Sequence, residues 1–265
     1  MNPVYVHAIG LAAPGIESWA EGRAILAGDA RYGGGEWPRF GAGSLLPANE
    51  RRRITPTIKL ALQVAADAMQ GADLDPASLG AVFASSGGDT ELVDRICRAL
   101  TLPERPVSPT QFHNSVHNAA AGYWAIACRS LMPYATVSAY DASFAAGLME
   151  AAAQTLVDEV PILLVVYDYP SPQPLARVAQ SAPPFGAAFA ISAAPRARSD
   201  AALALELVSG EREDCMDDEV LEQLRAGNAA ARALPLLGAL ARARDARVVL
   251  PHLDGRQLAV TLATS

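Results

Sequence analysis

The chain has 265 residues, 51% of them apolar and only 18% charged, which is enough apolar side chain to bury a large core and excludes a disordered chain. A net charge of −7 argues against a nucleic-acid partner, because phosphate binding needs clustered Lys and Arg and the densest run is only Arg51-Arg52-Arg53. Cys97, Cys128 and Cys215 are odd in number and lack metal-like spacing, so they suggest neither a disulfide framework nor a zinc site and suit a reducing cytoplasm.

The opening "MNPVYVHAIGLAAPG" has no basic n-region and reads as a first strand, from Pro3 to Ala13, not as a signal peptide. An amphipathic helix is expected over Trp19 to Leu26, followed by a glycine-rich surface excursion from Gly28 to Asn49. The arginine run reads as a solvated helix start, or else as a patch for a phosphate or an acidic partner. Thr55-Pro56 marks a helix start, threonine as cap and proline in the first turn, running to about Met69. "LGAVFASSGGD" predicts a short strand and a tight glycine turn, feeding a helix from Thr90 to Leu100 with Asp89 at its cap. The turn lacks the lysine and the spacing of a phosphate-binding loop.

"SPTQFHNSVHNAAAGYWAIACRSL" reads as a loop entering a helix from Asn118 to Leu131. A strand from Ala135 to Ala139 then turns at Tyr140-Asp141-Ala142-Ser143 into a small-residue helix over Ala142 to Val157. "VPILLVVYDYP" is an uninterrupted apolar run of the kind a central parallel strand shows, so the alternation implies an α/β sheet with both faces covered.

After Pro170 the texture changes to a proline-rich connector, "SPQPLARVAQSAPP", then "FGAAFAISAAP" and "AALALELVSGE", expected as a pair of strands. The charge-free window from Val178 to Pro195 holds three prolines, which argues against a membrane span. A polar helix over Asp217 to Ala230, a second short one and a hairpin around Asp254-Gly255 complete the chain. The economical organisation is one domain, 1–265, with 171–265 as a reduced C-terminal portion.

Three sets of residues could carry chemistry. His113 and His117 are four apart, which on a helix puts two imidazoles on one face and suits a metal; no third ligand is visible, and the alternative is that they, Asn114 and Asn118 hydrogen-bond a buried loop. A serine hydrolase or acyltransferase would use Ser143 or Ser85, with His113 or His117 and Asp141 or Asp168, although neither serine stands in G-x-S-x-G and Ser143 suits a cap. The strand-to-helix turn at Tyr140-Asp141 is itself a place where enzymes seat a nucleophile, yet it offers a carboxylate.

"HNSVHNAAAGYWAIACRSL", "TVSAYDASFAAGLMEAA" and "PFGAAFAISAAP", in that order, resemble the β-ketoacyl synthases of the thiolase superfamily over roughly residues 1–170, with a weaker echo beyond. His117-Asn118-Ala119-Ala120-Ala121-Gly122 is similar to the family's P-N-A-A-A-G core, and Ala142-Ser143 matches the end of its T-A-C-A-S-G nucleophile segment, which puts Asp141 where the cysteine stands. A carboxylate cannot accept an acyl chain as a thiolate does. The histidines and lysine of the family's second half have no counterpart either: past Asp168 there is one histidine, His252, and no lysine, Lys59 being the only one.

The resemblance therefore implies a truncated thiolase-like α/β fold, first half retained and second half reduced, without its own catalysis, cofactor or metal. It points to a chain-length factor of the short kind found beside aryl polyene and type II polyketide ketosynthases. Such a subunit pairs with an active ketosynthase through the strand at Ala135 to Ala139, meets the acyl carrier protein through that complex and shapes the acyl tunnel. Phe112, His113, Val116, His117, Asn118, Tyr140, Ser143 and Phe144 are the residues expected at that tunnel or interface, with Tyr123 and Trp124 as tunnel or core.

Overall fold

The computed structural model describes residues 2–37, 41, 45–178, 181–196 and 201–264. β1 (Val4–Ala12) leads into α1 (Trp19–Ala27), which Ser18 caps by accepting the Glu21 N–H and which ends at Gly28 in the left-handed region. Part of the glycine-rich excursion, 38–40 and 42–44, lies outside the described residues. The rest of it is tied down: Tyr32 and Leu46 are buried, and the Tyr32 hydroxyl donates to Pro14 O at 2.9 Å. The arginine run closes a short helix, α2 (Ala48–Arg51), instead of starting one, and two of its members reach back, Arg51 to Leu46 O ahead of the helix and Arg53 to Glu50 within it.

Thr55 and Asp89 cap their helices as their sequence positions predict, accepting the N–H of Ile58 and Leu92. These helices are α3 (Pro56–Gly71) and, after β2 (Gly80–Ala84), α4 (Thr90–Leu100). The expected loop before residue 118 contains a further helix, α5 (Pro109–Asn114), because Ser108 caps it and Pro109 sits in its first turn. α6 (Ala119–Cys128) stops short of Leu131, since Arg129 turns left-handed at φ 53° and closes it. Then come β3 (Tyr134–Val137), α7 (Ser143–Asp158), β4 (Ile162–Asp168), β5 (Phe185–Ser192), β6 (Ala201–Ser209), α8 (Glu219–Gly227), α9 (Leu234–Ala241) and the terminal hairpin of β7 (Ala246–Pro251) and β8 (Arg256–Thr264). The connector before β5 includes residues 179–180, outside the described set.

The eight strands form one sheet in the order β3-β2-β4-β5-β1-β6-β8-β7. Two expectations change here. β4 is parallel to β2 but antiparallel to β5, so the sheet is mixed. β5 and β6 are not partners: β1 lies between them and pairs antiparallel with both. Strands consecutive in sequence need not be neighbours in a sheet, and β1, apolar on both faces, can be inserted wherever two edges meet it.

Both faces of the sheet are covered. Along β4, Leu163, Val165 and Tyr167 enter the core beneath α3 and α6, while Ile162, Leu164 and Val166 enter the core beneath α7 and α9. That alternation is why the strand is apolar at every position. α7 comes very close to β2 because residue 147 is glycine: a Cβ there would meet the Ala84 Cβ at 2.7 Å. Among the described residues no helix is long and apolar enough to cross a membrane.

Candidate functional site

β3 enters α7 through a tight 3-10 turn, Tyr140–Ala142. Tyr140 has φ 49°, a left-handed backbone that a bulky residue adopts only where its surroundings hold it. Ser143 supplies that hold. Its Oγ accepts the Ala139 N–H at 3.0 Å and donates to Tyr140 O at 2.6 Å, while Ala142 N–H donates to Ala139 O. Ser143 is fully buried and its one hydroxyl proton is committed to Tyr140 O, so it clamps the turn. Ser143→Ala is expected to cost about 1–3 kcal/mol of stability, by leaving the Ala139 amide without its acceptor, as denaturant unfolding would measure.

The vertex of the elbow is therefore Tyr140, whose side chain is largely in solvent, and Asp141 is one residue past it. Asp141 does not cap α7: the cap position is Ala142 and no side chain fills that role. The Asp141 carboxylate instead faces Arg232, in the 3-10 turn Ala230–Ala233, with Nη2 to Oδ2 at 3.4 Å. Arg232 is mostly buried but the carboxylate stands in solvent, which screens the pair and holds its contribution to about 1 kcal/mol.

The second proposed triad also comes apart. Ser85 and Asp168 do meet, at the C-terminal ends of β2 and β4, and the Ser85 hydroxyl donates to Asp168 Oδ1 at 2.8 Å. His117 reaches this corner too, yet its Nε2 lies 3.1 Å from the Ser85 carbonyl and not on the hydroxyl. The serine–imidazole hydrogen bond that a triad requires is therefore not formed at this corner. Asp168 also accepts from the Ser86 amide and hydroxyl. Burial dominates over these hydrogen bonds and pushes the Asp168 carboxyl up to about 6. Asn228 closes the corner, donating to Asp168 O, Ser181 O and Pro183 O and accepting from the Ala230 amide. Nothing local in the sequence singles out Asn228, which follows a glycine at a helix end as ordinary capping residues do.

His113 and His117 do not share a helical face, because α5 ends at Asn114 between them. Among the described residues no group of three or more His, Cys, Asp or Glu could hold a metal ion. Asn114 is a buried strut: it donates to Arg53 O at 2.8 Å and accepts from the Tyr123 hydroxyl at 3.1 Å, hanging α5 opposite α6. Of the cysteines, Cys128 is held up to about 12 by burial and by nearby Asp75, so it is no thiolate at neutral pH.

Between α5, α6 and β3 that strut leaves a cleft of about 740 Å³. Phe112, His113, Val116 and Asn118 of the expected residues line it. Phe112 and Val116 are 65% and 51% exposed, and Ile126 and Tyr134, which nothing in the local pattern marks as surface groups, stand in the same wall. His117, Tyr140 and Ser143 belong to the corner and the elbow instead. Phe144 points the other way, fully buried with its ring 5.7 Å from Phe189. Tyr123 reaches the cleft from the core, whereas Trp124 is a core side chain.

Residues 30–248 match the model of the β-ketoacyl synthase N-terminal domain. No curated protein matches the chain in sequence. In three dimensions it is similar to a chain of the Xenorhabdus doucetiae complex of a ketosynthase (ApeO) with its chain length factor (ApeC), at 20% identity and TM-score 0.74 over 98% of this chain and 99% of that one. The ishigamide ketosynthase/chain length factor is similar at 18% identity and TM-score 0.72, over 99% of both chains. A β-ketoacyl synthase from Burkholderia phymatum gives 11% and 0.71 over the whole of both. At these identities the likeness shows a common fold, the thiolase-like fold of ketosynthases.

Proposed function

The chain belongs to the β-ketoacyl synthase family through that family's N-terminal domain, and from this we propose that it is a non-catalytic, chain-length-factor-like subunit that pairs with an active ketosynthase and shapes its acyl tunnel. The observation that carries the reading is the elbow: the strained turn and the helix behind it are kept, but Tyr140 and Asp141 stand there and no thiol does. Without a thiolate at that point no acyl chain can be taken over from a carrier protein. The decarboxylating histidines and lysine of the family have no counterpart past Asp168: the one histidine there, His252, stands beside the terminal hairpin and outside any G-H motif, and there is no lysine.

What remains is suited to assembly. β3 is the last strand of the sheet on its side, four residues long with one edge unpaired among the described strands, so a partner strand can extend the sheet. The α5–α6 cleft lies beside it and would be roofed by the same partner. Similar structures are described as a ketosynthase in complex with its chain length factor, and as a type II acyl-carrier protein in complex with its ketosynthase bound to the hexaketide. By the same logic we place a ketosynthase as direct partner and the carrier protein at the complex, in a reducing cytoplasm that three unpaired cysteines suit.

Co-expression with a full-length ketosynthase from the same genome should yield a 1:1 complex by native mass spectrometry. That complex should elongate a malonyl-loaded carrier protein, while the isolated chain elongates nothing and retains no acyl group. An isolated chain that condenses, or a chain that ignores the ketosynthase, would refute the reading.

A further inference from the structure

α8 carries a buried arginine that its ion pair leaves partly unsatisfied. Arg225 is only 5% exposed, and its Nε and Nη2 donate to the two oxygens of Glu222, three residues back on the same helix, each at 2.7 Å. Nη2 has a second hydrogen, which it gives to the Cys215 sulfur at 3.5 Å. Because a guanidinium is a rigid planar fork, an N–H of Nη1 runs alongside that second hydrogen, toward the side where the sulfur stands. Nη1 is buried and has no acceptor among the described residues. Buried donors almost always have one, so the fork faces Cys215 with one prong filled and one empty.

The sulfur is both held there and open to solvent. Asp214 anchors one side of it, since its amide donates to Val249 O at 2.9 Å and its Oδ2 accepts the Val249 N–H at 2.7 Å along the outer edge of β7. Met216 anchors the other, its amide donating to Glu222 Oε2 at 2.9 Å. Cys215 between them is exposed, and with Arg242 and Arg244 it lines a cavity of about 230 Å³. Neither of the other thiols is placed like this: Cys97 is exposed but no guanidinium donates to it among the described residues, and Cys128 is held up to about 12.

We propose that Cys215 is an oxidation site, at which a hydroperoxide converts the thiol to a sulfenic acid whose new oxygen accepts from Nη1 while the sulfur stays on Nη2. The thiolate sulfur attacks one peroxide oxygen: the S–O bond forms, the O–O bond breaks, and the departing oxygen takes up a proton and leaves as water or an alcohol. Sulfur gives up two electrons and the peroxide gains them. Two equivalents of a small thiol reverse the change, releasing water and the small disulfide, so no second cysteine of this chain is required. One added oxygen is what one empty donor calls for. Neither the elbow nor the α5–α6 cleft takes part, so the subunit reading stands or falls separately from this site. The competing occupant of the empty prong is an ordered water, which would leave the thiol no more reactive than Cys97.

The test treats the purified full chain with hydrogen peroxide and a cyclic 1,3-dione, which traps sulfenic acids and not methionine sulfoxide, and locates the adduct by peptide mass spectrometry. Cys215 should carry at least about tenfold more adduct than Cys97 in the folded chain, and the ratio should fall to about one in urea, where the fork is gone. Arg225→Lys keeps the charge but has no fork, and should cut labelling of Cys215 severalfold while circular dichroism shows that the chain remains folded. The comparison of folded and urea-treated chain decides the matter alone if that variant does not fold. Equal labelling of Cys215 and Cys97 in the folded chain overturns the proposal, as does a preference that survives urea, which would come from local sequence. Unchanged labelling in a folded Arg225→Lys chain overturns it too, and so does Cys215 recovered only as the sulfinate, which would mean that the first oxygen is not held.

Discussion

Thr136→Pro is expected to leave the isolated chain folded and to weaken its pairing with the ketosynthase at least about 100-fold. The carbonyls of Pro133 and Val137 accept from the Ala81 and Ser85 amides of the β2 segment, and because a strand alternates with a period of two, the backbone groups of 133, 135 and 137 face β2 while those of 134 and 136 face outward. Proline at 136 therefore removes an N–H that β2 does not use, and its fixed φ is tolerated in an edge strand. To a partner strand the same change removes a donor and offers a ring instead, a loss of about 3 kcal/mol, which corresponds to the factor above. Calorimetric titration of the ketosynthase with wild-type and variant chains measures it, with circular dichroism as the control for folding. Equal affinities would mean that the subunits do not meet along β3.

Asp168→Ala should cost about 3–5 kcal/mol, the largest loss of stability expected from a single polar side chain here. The carboxylate receives the Ser85 hydroxyl and both the amide and hydroxyl of Ser86 in the interior, and alanine leaves all three without an acceptor. Asp168→Asn keeps an acceptor oxygen but no ionisable proton, so the two variants separate hydrogen bonding from charge. The pH dependence follows from the raised pKa. Folded Asp168 titrates at about 6, with burial as the main cause, whereas an unfolded aspartate titrates near 3.9. The folded chain thus holds a proton between these values that the unfolded chain has lost. That contribution is complete below about pH 4 and is lost as pH rises through about 6, and two pKa units correspond to about 3 kcal/mol. Urea midpoints of wild type should accordingly fall relative to those of Asp168→Asn between pH 4 and 7; a constant difference across that range would show that the carboxylate is ionised throughout.

Much of this molecule is legible residue by residue. Thr55-Pro56 and Asp89 announce helices that begin where these side chains cap them, because a cap is a hydrogen bond to an amide two or three positions on. The run from Ile162 to Asp168 announces a strand covered on both faces, because every position must enter one core or the other. The motif order around Asn118, Ala142 and Phe185 carries the family, and with it the missing thiol.

The sequence by itself determined where most of the helices and strands lie and which family the chain belongs to. Tertiary structure alone decided that β1 separates β5 from β6, that Tyr140 and not Asp141 forms the vertex of the elbow, that Ser143 and Ser85 are tied up, and that a cleft lies between α5, α6 and β3. The division has one physical cause. Caps and periodicity act over a few residues of chain, whereas strand partnership, the strain stored in a turn and the space beside a glycine depend on groups brought together from distant parts of it.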